Sequence, residues 1–185
     1  MYRIVVIGFS AGGLVPVRAL LRALGPDYPV PVAMVTHLPA GDCAAFVGLL
    51  SSAKGLPVAL ASDKQAIAPG CAWLAPPDYH LMVETVEHFS LSVDAPVNFV
   101  RPSIDVLFES AAEVFGPQVI ALTLSSSSSD GARGMSRVKA RGGLTIAMAA
   151  ASCEHRTLTE AVLARVDVDY CAELDEITAL LQSVG

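Results

Sequence analysis

Short, almost uninterrupted apolar runs recur along this chain, and they constrain its fold more than any other feature. Typical runs are Ile4–Ile7, Val32–Val35 and Val119–Leu124. Pro, Gly or charged residues interrupt them well before the roughly 20 residues that a membrane-spanning helix needs. Strands of a parallel sheet are buried on both faces and therefore read as continuous apolar runs. We infer such a sheet, which also accounts for a mean hydropathy of +0.54.

Helix-like segments alternate with these runs. Leu14–Leu24 has apolar residues at helical spacing and ends at Gly25-Pro26, a strong stop signal. The alternation predicts an α/β fold in one domain over residues 1–185. Its expected architecture is a doubly wound, mainly parallel sheet flanked by helices, with a small antiparallel hairpin region.

The individual elements are predicted from the same patterns. The expected helices are Leu14–Leu24, Cys43–Leu50, Pro102–Phe115, Gly131–Ala140, Thr159–Arg165 and Glu173–Leu181. The expected strands are Arg3–Gly8, Val32–His37, Val58–Ser62, Val119–Leu124, Leu144–Met148 and Val168–Cys171. Three further strands are expected to be antiparallel or to form hairpins: Ala72–Leu74, His80–Val83 and Phe89–Val93.

Five consecutive serines, Ser125–Ser129, could be mistaken for a flexible linker. An apolar strand leads straight into them, and a helix-like segment follows Asp130-Gly131 at once. Five residues are a normal length for a loop between a strand and a helix. The pattern therefore predicts a loop inside one domain, and the hydroxyls could order it by bonding to nearby backbone groups.

Charge and cysteine content narrow the classes of function. The net charge of -6 argues against general nucleic-acid binding, which needs a basic surface. The four cysteines are widely scattered without CxxC or zinc-like spacing, so we expect buried free thiols and neither metal nor cofactor. No basic segment followed by a long apolar stretch marks a signal peptide, so a cytoplasmic location is expected.

Three reactive side chains follow predicted strands. Ser10 comes after the first strand, His37 ends the second, and Asp130 follows the strand that enters the serine run. Ligands of open parallel sheets bind beyond the carboxyl ends of the strands, so these groups should meet on one rim. Serine, histidine and aspartate can serve as nucleophile, general base and orienting acid.

Each of these residues also has a structural explanation. Ser10 could cap a helix, the glycines around it could cradle a phosphate, and His37 could be a hydrogen-bonded structural histidine. Asp130 could form a turn or an N-cap. Their shared rim favours the catalytic interpretation. Among the remaining histidines, His80 is a candidate neighbour of the site, whereas His88 and His155 are expected at the surface.

Several motifs together resemble the catalytic domain of CheB-type chemoreceptor protein-glutamate methylesterases. They are "VVIGFSAGG", "THLPAGDCAAF", "IAPGCAWLAPPDYHL", "VNFVRPSIDVLFESAAEVFG", "SSDGARGM" and "ARGGLTIAMAAASC", with a terminal "LDEI" helix. The resemblance spans nearly the whole chain. It implies hydrolysis of glutamyl methyl esters on chemoreceptor helices, with release of methanol, and deamidation of receptor glutamines.

The same resemblance assigns the family's triad to Ser10, His37 and Asp130. Backbone amides at Ala11 and Gly12 would then donate to the oxyanion. Ser127, which stands where the family has methionine, would be a neighbour of the site.

This chain also departs from the family pattern. Ser126 and Ser128 replace two family glycines, which often mark backbone angles that other residues avoid. Leu158-Thr159 replaces Met-Pro, and no receiver domain precedes the first strand. Full activity, a weakened relative that only binds a receptor or partner, and a small-molecule or nucleotide-binding module therefore all remain open.

Docking to glutamate-rich receptor helices would require a local positive surface, since the chain itself is net negative. Arg133 and Arg137 are the predicted docking residues, with Lys139 and Arg141 on the same segment and Arg101 near the rim. The alternative is an ordinary solvated helix face.

Overall fold

The computed structural model describes residues 1–37, 43–51 and 54–184. Every predicted helix and strand is present, with ends that differ by at most two residues. The strands are β1 Ile4–Phe9, β2 Val32–Thr36, β3 Val58–Leu60, β4 Ala72–Leu74, β5 His80–Val83, β6 Phe89–Ser92, β7 Val119–Thr123, β8 Leu144–Met148 and β9 Tyr170–Ala172. The helices are α1 Leu14–Leu24, α2 Cys43–Leu50, α3 Ile104–Phe115, α4 Ala132–Ala140, α5 Thr157–Leu163 and α6 Leu174–Ser183.

Seven strands form one parallel sheet in the order β3-β4-β2-β1-β7-β8-β9. Strand β1 lies in the middle, where Gly8 pairs with Val35 of β2 on one side and with Thr123 of β7 on the other. The strand order reverses at β1 and β7, and open α/β sheets bind ligands at such a switch point. The predicted α/β class is therefore confirmed, and the rim that carries Ser10 lies at the switch point.

Both faces of the sheet are covered, as the apolar runs predict. Along β1, Val5 and Ile7 pack into one core beneath α1, α2 and α6, while Ile4 and Val6 pack into the opposite core beneath α3, α4 and α5. All four side chains are fully buried. This two-sided burial removes the polar alternation that marks a half-exposed strand.

One strand assignment is wrong. Ala72–Leu74 was expected to be antiparallel or part of a hairpin, but β4 lies between β3 and β2 and is parallel to both. A three-residue apolar strand carries no signal for the direction of its partners. The other two strands, β5 and β6, form the expected antiparallel hairpin. The hairpin is tied to α3 where the Val83 amide donates to Ser110 Oγ at 3.0 Å.

The cysteines differ from the expectation in their burial. No disulfide joins them within the described residues, but only Cys153 is buried. Cys171 is exposed because β9 is the edge strand of the sheet. Within the described ranges, no helix is long and apolar enough to span a membrane.

Candidate active site

Ser10 lies in the tight connection between β1 and α1, at the carboxyl end of the central strand. Its amide donates to the Ser125 carbonyl at 3.0 Å, and its own carbonyl accepts from the Gly13 amide at 2.9 Å. Both ends of the residue are thereby fixed while the side chain remains partly exposed. Within the described part of the chain, the Ser10 hydroxyl has no hydrogen-bond partner.

Glycine is required at position 12 for two reasons. Gly12 has φ of +75°, a left-handed conformation that other residues rarely adopt. A Cβ atom there would lie 2.5 Å from Ser125 Oγ and 2.6 Å from Glu154 Cβ. The turn that presents Ser10 is therefore packed directly against the serine run and against the segment around Glu154.

Three backbone amides are candidate donors to an anionic oxygen, two of them directly after Ser10 and one in the serine run. In the ranges that the structure describes, the amides of Ala11, Gly12 and Ser127 donate to no protein acceptor. Ser127 is exposed at the outer point of the serine run. Such preorganised donors are what a tetrahedral oxyanion requires.

His37 follows β2, next to β1 in the sheet, and its ring binds Asp130. The distance from His37 Nε2 to Asp130 Oδ2 is 2.9 Å, and the His37 side chain is 12% exposed. His37 also lines a cavity of about 330 Å³ together with Phe99 and Arg101. The histidine is therefore anchored on its buried side and accessible on the other.

Asp130 is fully buried, and both of its carboxylate oxygens accept hydrogen bonds. Oδ2 accepts from His37 and from the Ile104 amide, the latter at 2.6 Å. Oδ1 accepts from Asn98 Nδ2 and from Ser103 Oγ, each at 2.7 Å. A buried charge is tolerated only when its lone pairs are satisfied in this way.

These bonds also fix the charge of Asp130. Burial alone would raise the pKa of the Asp130 carboxyl, but hydrogen bonds from His37, Ser103, Asn98 and the Ile104 amide lower that pKa below its usual value. An ionised carboxylate only accepts hydrogen bonds, so His37 Nε2 must carry the proton. The lone pair of the imidazole is then on Nδ1, the nitrogen that Asp130 does not contact.

Helix α3 explains how Asp130 is held. The Ile104 and Asp105 amides at the start of α3 both point at the Asp130 carboxylate, the second at a longer 3.4 Å. Ser103, at the N-cap position, gives its hydroxyl to Asp130 instead of to its own helix. Asp130 thus supplies the anion that a helix N-terminus favours.

Sequence reasoning missed the residues that surround Asp130. Asn98 donates through Nδ2 to both Asp130 and Asp105, and the two distances are 2.7 and 2.9 Å. Asp105 in turn accepts from the Gly131 and Gly134 amides at the start of α4. The sequence indicated a helix start in "RPSID". It did not indicate that this start contacts Asp130, which lies 25 positions after Asp105.

Phe99 is the second feature that sequence reasoning missed. It is fully exposed and has φ of +65°, an unfavourable conformation for a bulky side chain. Asn98, beside it, shares the left-handed conformation, with φ of +53°. Such backbone conformations persist where the surrounding structure fixes them, often at functional sites. Here the turn aims Asn98 inward at Asp130 and Phe99 outward over the cavity beside His37.

The serine run is a loop between β7 and α4, and its hydroxyls order it as expected. Ser125 Oγ donates to the Ala11 carbonyl at 2.9 Å and accepts from the His155 amide at 3.0 Å. Ser126 Oγ accepts from the Ser128 amide, and Ser128 Oγ accepts from the Asp130 amide, both at 3.1 Å. None of the described positive-φ residues lies in the run, so serine meets no backbone penalty at positions 126 and 128.

Restoring the family pattern in this loop should impair turnover more than stability. Ser126→Gly, Ser127→Met and Ser128→Gly together remove the acceptor of the Asp130 amide and loosen the backbone. Turnover of an ester should fall, while the free energy of unfolding changes by about 1 kcal/mol because the hydrogen bonds lost are local to the loop. Steady-state kinetics and urea unfolding measure the two effects. Ser129→Ala, which removes no described side-chain bond in the same loop, is the control and should behave as the parent.

Ser103→Ala should show whether the surroundings of Asp130 support catalysis. The hydroxyl is buried and bonds to a charged acceptor, so its loss should cost about 1.5–3 kcal/mol in the free energy of unfolding. Turnover should fall by roughly tenfold because Asp130 orients His37 less firmly. Urea unfolding and ester kinetics test this, with Ser183→Ala at the end of α6 as control. Parental turnover by Ser103→Ala would contradict the proposed support.

The other predicted site neighbours are placed as follows. His80 is buried: its Nδ1 accepts from the Ser103 amide at 3.1 Å and its Nε2 bonds to the Ala95 carbonyl at 3.2 Å. It therefore contacts the residue that holds Asp130. His88 lies in the hairpin turn. The backbone of His155 bonds to Ser125 and Ser126, closer to the site than the expected surface role implied.

The predicted docking arginines lie on α4 and are already ion-paired. Arg133 Nε is 2.5 Å from Glu109, and Arg137 Nε is 2.7 Å from Glu113. Both glutamates belong to α3, which packs beside α4. The positive charge of this face is therefore largely compensated within the protein.

The fold and the site define a class of protein: a doubly wound α/β protein with a serine and a carboxylate-anchored histidine at the switch point of a parallel sheet. Within that class, the chain belongs to the CheB methylesterase family, whose sequence model matches residues 5–181. The catalytic domain of Thermotoga maritima CheB methylesterase, solved by crystallography, is similar over 100% of both chains, with a TM-score of 0.93 and 30% identity.

Relatives with assigned names agree with the family. A candidate protein-glutamate methylesterase/protein-glutamine glutaminase of Leptospira interrogans is 35% identical over 97% of this chain and 93% of its own length. Protein-glutamate methylesterase/protein-glutamine glutaminase 2 of Cupriavidus pinatubonensis is 38% identical over 82% of this chain. The match spans only 43% of that longer protein.

Proposed function

We propose that this protein is a serine hydrolase that removes methyl esters from glutamate side chains of chemoreceptors in the cytoplasm. Residues 1–185 would act as one catalytic domain, and Ser10, His37 and Asp130 as its triad. The observation that carries the proposal is the His37–Asp130 hydrogen bond next to Ser10, whose hydroxyl has no hydrogen-bond partner among the described residues. Membership of a family named for methylesterases supplies the type of bond that is cleaved.

In the first half of the reaction, Ser10 Oγ attacks the ester carbonyl while His37 Nδ1 takes the hydroxyl proton. Asp130 keeps that proton acceptor on the correct side of the ring and stabilises the imidazolium that forms. Amides of Ala11, Gly12 or Ser127 receive the oxyanion. Collapse of the intermediate gives a glutamyl ester of Ser10, and His37 returns the proton to methoxide, which leaves as methanol. The missing hydrogen bond between the Ser10 hydroxyl and His37 among the described residues fits this mechanism, because catalytic hydrogen bonds commonly tighten only when the substrate is bound.

In the second half, water replaces the alcohol. His37 takes a proton from the water as the water oxygen attacks the acyl group, and His37 returns that proton to Ser10 Oγ when the bond from Oγ to the acyl carbon breaks. The glutamic acid side chain leaves and loses its proton to solvent. A glutamine side chain could pass through the same acyl-enzyme with ammonia as the leaving group. This accounts for deamidation as a companion activity of the same site.

A nucleotide-binding role for the glycine-rich first turn has less support. The spacing of the glycines around Ser10 is not GxGxxG, and the turn contains no P-loop lysine. A role limited to binding is also disfavoured, because the altered serine run still holds Asp130 through Ser128 Oγ.

Docking of the receptor on α4 through Arg133 and Arg137 stays a prediction. It would require an acidic partner to compete with Glu109 and Glu113 for the two guanidinium groups. Receptor turnover should then respond to charge reversal at Arg137.

The decisive experiment is methanol release from a methylated chemoreceptor fragment, with ammonia release from its glutamines measured in parallel. Methanol should appear at a rate proportional to enzyme concentration, and a serine-reactive phosphonate should block it. Hydrolysis of a small ester without any methanol from the receptor would leave a hydrolase but reject the proposed substrate.

A further inference from the structure

Helix α1 begins beside the Ser10 turn and presents an outer face made of Val15, Arg18, Ala19 and Arg22, here called the α1 outer face. All four residues are exposed, and Val15 is 77% exposed. With Leu14 they line a shallow groove of about 280 Å³. The opposite side of the helix packs into the core through Val17, Leu20 and Leu21.

The two arginines of this face lack the ion pairs that engage five of the other ten Lys and Arg side chains. Across residues 1–37, 43–51 and 54–184, neither Arg18 nor Arg22 has a carboxylate within 4.0 Å or a hydrogen-bond acceptor. Residues 14–24 contain no acidic residue. By contrast, ion pairs engage Lys64, Arg133, Arg137, Lys139 and Arg141.

The stability of the fold does not explain why two arginines and an apolar side chain are exposed together on this face. The α1 helix is stabilised by its buried side, and only Arg22, in the last turn, interacts favourably with the helix dipole. Arg18 lies mid-helix, and the apolar Val15 beside it remains in water. Arg18 and Arg22 therefore form a positively charged surface next to the exposed Val15, in a protein whose net charge is -6.

We infer that the α1 outer face docks an acidic helical segment of the protein substrate, an inference that rests on the proposed function. Hydrolysis of glutamyl esters leaves carboxylates on the substrate, so each turnover makes the segment around the scissile ester more acidic. Docking along α1 would hold that segment beside Ser10, because α1 starts four residues after the nucleophile.

The spacing of the arginines fits a helix as partner. Arg18 and Arg22 are four residues apart, which places them about 6 Å apart along the helix axis. Carboxylates at i and i+4 of a second helix recur at the same interval. Val15 gives the contact an apolar end close to the active site, where a desolvated anchor contributes most.

The test compares two substrates and three charge reversals. Arg18→Glu should lower kcat/KM for the methylated receptor fragment by about tenfold more than kcat/KM for a small ester such as p-nitrophenyl acetate. The excess loss should shrink between ~0.01 M and ~1 M salt, where the Debye length falls from about 30 Å to about 3 Å. Arg3→Glu, at the amino end of β1 and thus on the opposite rim, is the control of equal charge change and should not discriminate between the substrates.

Each outcome bears on one claim. Equal losses on both substrates for Arg18→Glu, with normal methanol release by the parent, would overturn docking on α1 and leave the proposed function intact. A receptor-specific loss for Arg137→Glu and none for Arg18→Glu would assign docking to α4 and likewise overturn the inference. Absence of methanol release by the parent protein would reject the proposed function itself. Circular dichroism and thermal unfolding of each variant confirm that the fold is retained.

Discussion

Ser10→Ala should abolish methanol release from a methylated receptor fragment, with a loss on the order of 10⁵- to 10⁶-fold in kcat. Among residues 10–13 of the turn after β1, Ser10 alone carries a nucleophilic side chain, and the register of β1 with β2 places this residue next to His37. Within the described part of the chain this hydroxyl has no hydrogen-bond partner, so its removal leaves no buried group unsatisfied. The free energy of unfolding should therefore change by less than about 0.5 kcal/mol.

Methanol assays, phosphonate labelling and urea unfolding on the same preparation separate chemistry from folding. The parent should take up one phosphonate on Ser10, detectable by peptide mass, and the variant none. Ser92→Ala, on the hairpin strand β6, is the control and should retain both labelling and turnover. Methanol release by Ser10→Ala at the parental rate would show that another group is the nucleophile.

Asp130→Asn should lower turnover by about 10³- to 10⁴-fold, as the corresponding change does in other triads. An amide in place of the carboxylate can donate to His37 Nε2, which places the imidazole proton on Nδ1. The nitrogen that should accept the Ser10 proton then already carries one. Kinetics on a small ester measure this loss without any contribution from receptor docking.

The same substitution should also destabilise the protein in a pH-dependent way. A side-chain amide at position 130 could not accept from all the donors that converge on the parent carboxylate, so at least one buried donor would lose its partner. Because the folded-state pKa of Asp130 is lowered, its stabilisation is present above the pKa of the unfolded chain and is lost as pH falls through the folded pKa. Urea unfolding should thus separate parent and variant most at neutral pH and least in acid. A pH-independent difference would contradict this account.

His37 and Ser10 should act as one unit. His37→Ala combined with Ser10→Ala should be little worse than Ser10→Ala alone, since both remove the same proton-transfer step. Additive losses in the double variant would argue against a shared step.

The sequence predicted those parts of the fold that depend on local pattern. Both ends of the helix Leu14–Leu24 were predicted correctly, because its apolar spacing and the Gly25-Pro26 stop are local signals. The direction of β4 was wrong because strand pairing depends on contacts distant in sequence, and three apolar residues specify none of them. Burial of Cys171 was wrong for the same reason, since edge position follows from strand order.

The placement of the proposed site residues was predictable to a similar depth, whereas their catalytic roles stay a prediction. Strand ends indicated Ser10, His37 and Asp130 because the carboxyl ends of parallel strands share an edge. The direction of the His37 ring and the donors Asn98 and Ser103 were not predictable, since they depend on the packing of α3 against the rim. The ion pairs that compensate Arg133 and Arg137 depend on the same packing of α3 against α4.

The position of Asp130 at the start of α3 has a consequence for how lineages of this fold lose activity. A substitution at Asp130 would remove a member of the proposed triad and also unpair the first amides of a core helix, so selection for folding alone is enough to retain it. Ser10 has no comparable structural role, so a substitution at position 10 can become established without destabilising the fold. A homologue that has ceased to be an enzyme should therefore still carry the aspartate, and the residue at position 10 is the better indicator of retained catalysis.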